Sequence, residues 1–124
     1  MTQTFTIPGK LPSQNDANRA GRSHWIKAAR MKRETQDFVG WCIKAARLKP
    51  VTSPTCIAIH FFEPNRRRDL DNIAGFASKV ILDALVQQRV LADDSPRYVK
   101  GISYVWSVDK GNPRVVVMIE EDLR

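Results

Sequence analysis

The amino-acid sequence predicts a single α/β domain of the α+β kind, with a mixed β-sheet packed against two main helices. Three observations predict it. The chain has 124 residues, the usual size of one domain, so we expect one domain over residues 1–124. Four short segments are rich in β-branched and aromatic residues. Two longer segments repeat apolar residues at steps of three and four. The predicted order is therefore β-α-β-α-β-β.

The first half of the chain predicts one strand and one helix. Residues 3–7 alternate in polarity and predict the first strand. Turn-forming residues from Pro8 onward predict a loop that runs to about Ser23, which can cap the next helix. Apolar residues then recur at helical spacing over 24–48, and Pro50 ends this long helix.

The second half predicts the remaining four elements. Residues 54–62 are β-branched and aromatic and predict the second strand. A wide apolar stripe over 72–88 predicts the second helix, which we expect to face the core. Residues 99–108 and 113–120 predict two strands. The turn formers Asp109–Asn112 between them predict a β-hairpin.

The positive charge of the chain is unevenly distributed. The net charge is +7, and residues 1–50 carry all of it, with 10 Lys and Arg against 3 Asp and Glu. Lysines and arginines neutralise phosphates, so a basic half predicts nucleic acid as the partner. Lys27, Arg30 and Arg33 of the first long helix are candidate phosphate contacts. A solvated helix face explains these charges equally well.

Several classes of protein are disfavoured by the sequence. No stretch is apolar enough to span a bilayer, and the N-terminus lacks the pattern of a signal peptide, so we expect a cytoplasmic protein without membrane contact. Cys42 and Cys56 lack the spacing of zinc ligands, and His24 and His60 do not complete a site. We expect the two cysteines to be small reduced core residues.

The segment that carries chemistry is an arginine run, Arg66, Arg67 and Arg68, followed by Asp69-Leu70-Asp71. Two carboxylates two residues apart in extended chain project to the same side. Carboxylate oxygens suit Mg²⁺, and a bound metal ion can drive phosphodiester hydrolysis while neighbouring arginines hold phosphates.

A second acidic pair, Asp93-Asp94, follows the second helix. That helix rises roughly 25 Å, so the chain must bend back if both pairs are to share an ion. Each feature also has a plainer reading. Asp69 or Asp71 could cap the helix, worth about 1 kcal/mol, Asp93-Asp94 could form a turn, and the arginines could be a solvated loop.

Three blocks in this order resemble the RusA family of Holliday junction resolvases: Arg68–Asn72, Lys79–Leu85 and Asp93-Asp94. The resemblance is carried mainly by residues 58–108. The opening, with Pro12, Ser13 and Asn15, is also similar. The resemblance implies a magnesium-dependent homodimer, with Mn²⁺ as the substitute ion. Such a dimer would nick four-way or branched DNA in recombination and repair.

The resemblance also implies roles for particular residues. Asp69, Asp71 and Asp94 match the metal-binding and catalytic carboxylates. Lys79 matches a lysine that assists catalysis electrostatically. Two neighbours, Asn72 and Asp93, match motif positions of secondary role, and the arginine run would bind DNA.

The lysine departs from the family pattern, which has it four residues after the second Asp of the pair. Here that place is Gly75, and Lys79 comes one helical turn, about 5 Å, further along. The alternative role of Lys79 is an ion pair with Asp83, four residues later.

Two other functions remain open at this point. A non-catalytic DNA-binding module on the same scaffold would carry the same charge. A metal-dependent transferase acting on a nucleotide-linked donor would also use two aspartates, although 124 residues are short for it. The surface that forms a dimer could be Trp25, Trp41 or the apolar face of the second helix.

Overall fold

The computed structural model describes residues 2–121, without the side chain of Ser23. Within these residues the fold has three helices and one four-stranded mixed sheet, which confirms the predicted α+β class with one more helix than expected. The elements in chain order are β1 (Thr2–Pro8), α1 (Gln14–Ser23), α2 (Trp25–Ala45), β2 (Thr55–Glu63), α3 (Leu70–Gln87), β3 (Val99–Val108) and β4 (Arg114–Glu121).

The four strands lie side by side in the order β1-β4-β2-β3. β4 runs antiparallel to both β1 and β2, whereas β2 and β3 are parallel and are connected through α3. The predicted hairpin of β3 and β4 is therefore wrong, because β2 lies between them. The connecting turn crosses the end of β2, where the amide of Asp109 donates to the carbonyl of Glu63 at 2.8 Å. A turn that spans one strand has the same residue types as a tight hairpin, so the sequence did not separate them.

The core lies between the inner face of the sheet and the helices. β2 alternates cleanly, with Ile57, Ile59 and Phe61 buried and the residues between them turned to the other face. The apolar stripe of α3 packs on this face, as predicted. Its buried members are Ile73, Ala74, Phe76, Ala77, Val80, Ile81, Ala84 and Leu85.

Helix α1 was expected to be part of a loop. Its sequence is strongly polar and contains no large apolar side chain, so the apolar stripe that reveals α2 and α3 is absent. A capping box begins the helix instead: the Ser13 hydroxyl accepts from the amide of Asp16, and the Asp16 carboxylate accepts from the amide of Ser13. These bonds hold the pKa of Asp16 below its usual value, with further help from Arg19.

The cap of α2 also differs from the expectation. His24, not Ser23, is the N-cap, and its Nδ1 accepts from the amide of Ile26 at 3.1 Å. Ser23 is instead the last residue of α1.

The outer face of the sheet is not covered by a helix. Cys56 lies exposed on it, and Cys42 is half-buried on α2. Both thiols are free, as predicted. Cys42 packs against the core, whereas the expectation of a core position is wrong for the exposed Cys56. The ring of His60 contacts the hydroxyl of Ser107 at 2.7 Å and stacks on Phe62. His60 is therefore held by packing and a hydrogen bond.

Two of the three surfaces expected for a dimer remain exposed. Trp25 and Trp41 on α2 are 73% and 70% exposed. The apolar face of α3 lies in the core and is not available to a partner. Over residues 2–121, no helix combines the length and the apolarity needed to cross a membrane.

Candidate functional site

The arginine run is anchored by its last member, Arg68. Its guanidinium donates to both carboxylate oxygens of Glu63, at 2.8 and 3.0 Å, and to the carbonyl of Leu11 at 2.8 Å. Glu63 is only 3% exposed, at the end of β2. These bonds join the loop to the sheet, and the expected role of Arg68 in binding DNA stays a prediction. Arg66 and Arg67 are the members of the run that are exposed.

The first acidic pair lies where α3 begins. Asp69 is the N-cap residue, yet its side chain makes no capping hydrogen bond. Asp71, in the first turn, accepts only from the amide of Asn72, at 2.9 Å. Both side chains are exposed, and neither forms an ion pair within residues 2–121. The plain capping role therefore does not account for the carboxylate of Asp69.

Asn72 has a structural contact of its own. Its side-chain oxygen accepts from the amide of Asn15 at 2.9 Å, which ties the start of α1 to the start of α3. The polar opening of the chain thus lies against the loop that carries the aspartates.

A groove of about 480 Å³ opens beside Asp71. Asp71 is its only charged lining residue, and its wall on the sheet side is Tyr104 of β3, whose ring lies 6.5 Å from that of Phe61. The sequence did not indicate a role for Tyr104. Its place beside the groove depends on the pairing of β3 with β2, which the sequence did not predict. The remaining lining residues are Leu70, Ala74, Gly75 and Ser78.

The second acidic pair returns toward α3 but not to its beginning. The carboxylate of Asp94 lies 3.9 Å from Nζ of Lys79, and Asp93 accepts from the amide of Asp94. Lys79 follows Asp71 by eight residues, a rise of about 12 Å along the helix. The topology explains this position. Because α3 connects two parallel strands, it begins near the C-terminal end of β2 and finishes near the N-terminal end of β3. The loop after α3 therefore starts at the opposite end of the strands from Asp71.

Lys79 makes the ion pair that the sequence offered as its alternative role. Its Nζ lies 3.5 Å from Asp83, the expected partner four residues on, and it also faces Asp94. Asp83 in turn pairs with Lys32 of α2 at 3.3 Å. A chain of alternating charges thus joins α2, α3 and the loop after α3.

No group of three or more His, Cys, Asp or Glu side chains in residues 2–121 lies close enough together to hold a metal ion. The structure therefore does not bring Asp69, Asp71 and Asp94 into one cluster. The pair Asp69 and Asp71 nevertheless fits Mg²⁺, because this ion is commonly held by one or two carboxylates, with waters and substrate phosphates completing its shell. Two exposed carboxylates without a cationic partner meet that requirement.

The predicted basic residues of α2 lie on the surface. Lys27, Arg30 and Arg33 are all exposed. Together with Arg66 and Arg67, they make five exposed cationic side chains among those that were expected to contact phosphate.

Comparison with known protein families places the chain among the endodeoxyribonucleases. The family model of Endodeoxyribonuclease RusA matches residues 8–120, nearly the whole chain, and the chain belongs to that family. A search of curated proteins gave no significant match. The matched range covers the elements from α1 to β3 and nearly all of β4, and it confirms the resemblance drawn from residues 58–108.

Proposed function

We propose that this protein is a magnesium-dependent endonuclease that nicks branched DNA, with the four-way junction as its substrate in recombination and repair. One observation carries the proposal. Asp69 and Asp71 are exposed, have no cationic partner among the described residues, and directly follow the arginine run. In a member of an endodeoxyribonuclease family, such a pair is best explained as the metal-binding site.

In this proposal Asp69 and Asp71 would hold the ion, and Asp94 would become its third protein ligand when the loop after α3 moves toward the start of that helix. Mn²⁺ can take the same place. When bound, the ion supplies Lewis-acid stabilisation of the phosphoryl group and activates the attacking water. Arg66 and Arg67 hold the backbone phosphates on either side of the cut, because guanidinium groups bind phosphate oxygens through two parallel hydrogen bonds.

Secondary roles fall to the neighbours of these residues. Asn72 positions the loop of the first acidic pair, and Asp93 positions Asp94 through its bond to that residue's amide. Lys79 contributes positive charge beside Asp94, where charge develops on the phosphate during cleavage.

The partner and compartment follow from the same reasoning. A four-way junction offers two equivalent strands, and a C2 homodimer presents two equivalent sites to them. We propose a homodimer, with exposed Trp25 and Trp41 as the candidate contact residues. The domain range 1–124 and a cytoplasmic location are part of the proposal, since a nuclease of this kind must reach DNA.

The proposal is tested by cleavage of a synthetic four-way junction. We expect paired nicks in the presence of Mg²⁺, none in EDTA, and little cutting of a linear duplex of the same sequence. The competing function is a DNA-binding module without catalysis, which is favoured by the lack of a three-carboxylate cluster in residues 2–121. Tight junction binding with no cutting at any Mg²⁺ or Mn²⁺ concentration would support that alternative and overturn the nuclease.

The role of Lys79 is separable from its ion pair with Asp83. We expect Lys79→Ala to lower the nicking rate by about 100-fold, the scale of losing one charge-stabilising donor. Its effect on the free energy of unfolding should stay within about 0.5 kcal/mol, because exposed ion pairs contribute little. Nicking rates and denaturant unfolding measure the two effects.

Asp83→Asn is the matched control, since it removes the partner and leaves the lysine. We expect nicking near the normal rate for this variant. An equal loss in both variants would show that the ion pair itself, and not the charge beside Asp94, is what matters.

A further inference from the structure

A second cavity, of about 480 Å³, lies beside Arg68, the last member of the arginine run. It is bounded by the loop after β1, by α1 and by the first turns of α2. Arg68 lines it, so the cavity borders the residue that directly precedes Asp69. The lining residues are Lys10, Leu11, Pro12, Asp16, Arg19, Ala20, Lys27, Met31 and Arg68.

The cations of this cavity outnumber its carboxylates. Lys10 and Lys27 form no ion pair with any described residue. Asp16 is the only carboxylate of the lining. Its oxygens are engaged by the amide of Ser13 at 2.9 Å and by Arg19 at 3.9 Å. Two lysines without an ion-pair partner in residues 2–121 therefore line one cavity, which favours an anion between them.

Arg68 adds directed donors to that charge. A guanidinium has five N–H groups, and the bonds to Glu63 and Leu11 use three of them. Because those bonds fix its plane, the remaining donors are held in place without further loss of side-chain freedom. The lining also includes Pro12 and Met31, which are partly exposed and offer an apolar surface to a sugar.

We propose that this cavity binds a backbone phosphate of the DNA strand that is cut, at a fixed distance from the cleaved bond. Lys10 and Lys27 supply the charge, Arg68 supplies the directed hydrogen bonds, and the apolar wall contacts the adjoining deoxyribose. The inference rests on the proposed nuclease function and adds two things to it. It names Lys10 as a DNA contact, and it assigns Lys27 to one phosphate instead of a diffuse basic face.

The test replaces single phosphates by uncharged methylphosphonates along one strand of a four-way junction. Affinity is measured in EDTA, so no metal-dependent step enters. We expect one position to weaken binding by at least about 10-fold, the scale of one charged hydrogen-bonded contact. With Lys10→Ala or Lys27→Ala, the same position should weaken binding by a smaller factor, because one of its three partners is already missing.

Lys49→Ala is the matched control, an exposed lysine beyond the far end of α2. It should keep the wild-type pattern of sensitive positions. We also expect the replacement of each cavity lysine, but not that of Lys49, to reduce the slope of log affinity against log salt by about 1. Two results would overturn the inference. One is the same pattern of sensitive phosphate positions in all three variants, and the other is a loss of junction affinity in the cavity variants no greater than in Lys49→Ala.

The two proposals fail differently. If the wild-type protein nicks junctions but the cavity lysines do not change phosphate sensitivity, the nuclease stands and the cavity assignment is wrong. If the wild-type protein neither binds nor nicks junctions, the proposed function itself is wrong, and the cavity assignment falls with it.

Discussion

Asp71→Asn is expected to lower the rate of junction nicking by at least about 1,000-fold while junction affinity in EDTA stays within about 2-fold of normal. Asparagine keeps the size of the side chain but removes the charge that a divalent ion requires, and several kcal/mol of stabilisation depend on that ion. Asp71 is exposed and makes a single hydrogen bond, to the amide of Asn72, so the fold should tolerate the change. Single-turnover cleavage and fluorescence anisotropy measure the two quantities.

Asp37→Asn provides the matched comparison. It removes an exposed carboxylate from α2, far from both acidic pairs in sequence, and should leave nicking unchanged. Asp69→Asn should behave as Asp71→Asn does. Normal cutting by either of these two variants would show that the first acidic pair is not the metal site.

The second large effect is expected on stability. Glu63→Ala should lower the free energy of unfolding by about 3 kcal/mol, because it leaves the Arg68 guanidinium largely buried without its carboxylate partner. For a domain of this size the midpoint of thermal unfolding should fall by about 10 °C. Calorimetry or denaturant unfolding measures the loss.

The double variant Glu63→Ala/Arg68→Ala isolates the pair. Once the arginine is also removed, no buried charge is left uncompensated, so the double variant should be little less stable than Glu63→Ala alone. Strictly additive losses would mean that the two side chains stabilise the fold independently, contrary to the bidentate contact described above.

The sequence predicted those elements whose packing leaves a periodic pattern. The apolar stripe of α3 and the alternation of β2 follow directly from which side of each element meets the core. Helix α1 leaves no such pattern because its sequence is polar. It is held instead by a capping box at Ser13 and by contacts to α2 and α3. The order of strands was also hidden, since the inward and outward residues of β3 are the same whether it pairs with β2 or β4.

The candidate site was predicted only in part, for a related reason. Asp69 and Asp71 both lie at the start of α3 because they are near neighbours in the chain. The position of Asp94 depends on where the loop after α3 leaves the sheet, which only the strand order determines. Likewise, nothing in a run of three arginines indicates that Arg68 alone would be paired with a buried glutamate. Contacts between residues far apart in the chain can be predicted only when the topology is known. Contacts between near neighbours can be predicted from the sequence alone.

The central claim is that Asp69 and Asp71 hold the ion that drives cleavage, with Asp94 as the third ligand. A crystal of the protein with a four-way junction and Mn²⁺, examined by anomalous scattering, tests it most directly. We expect one manganese ion per active site in contact with carboxylate oxygens of all three aspartates and with a DNA phosphate. Manganese bound elsewhere on the protein, with Asp69 and Asp71 free of metal in a junction complex that is competent to cut, would contradict the claim.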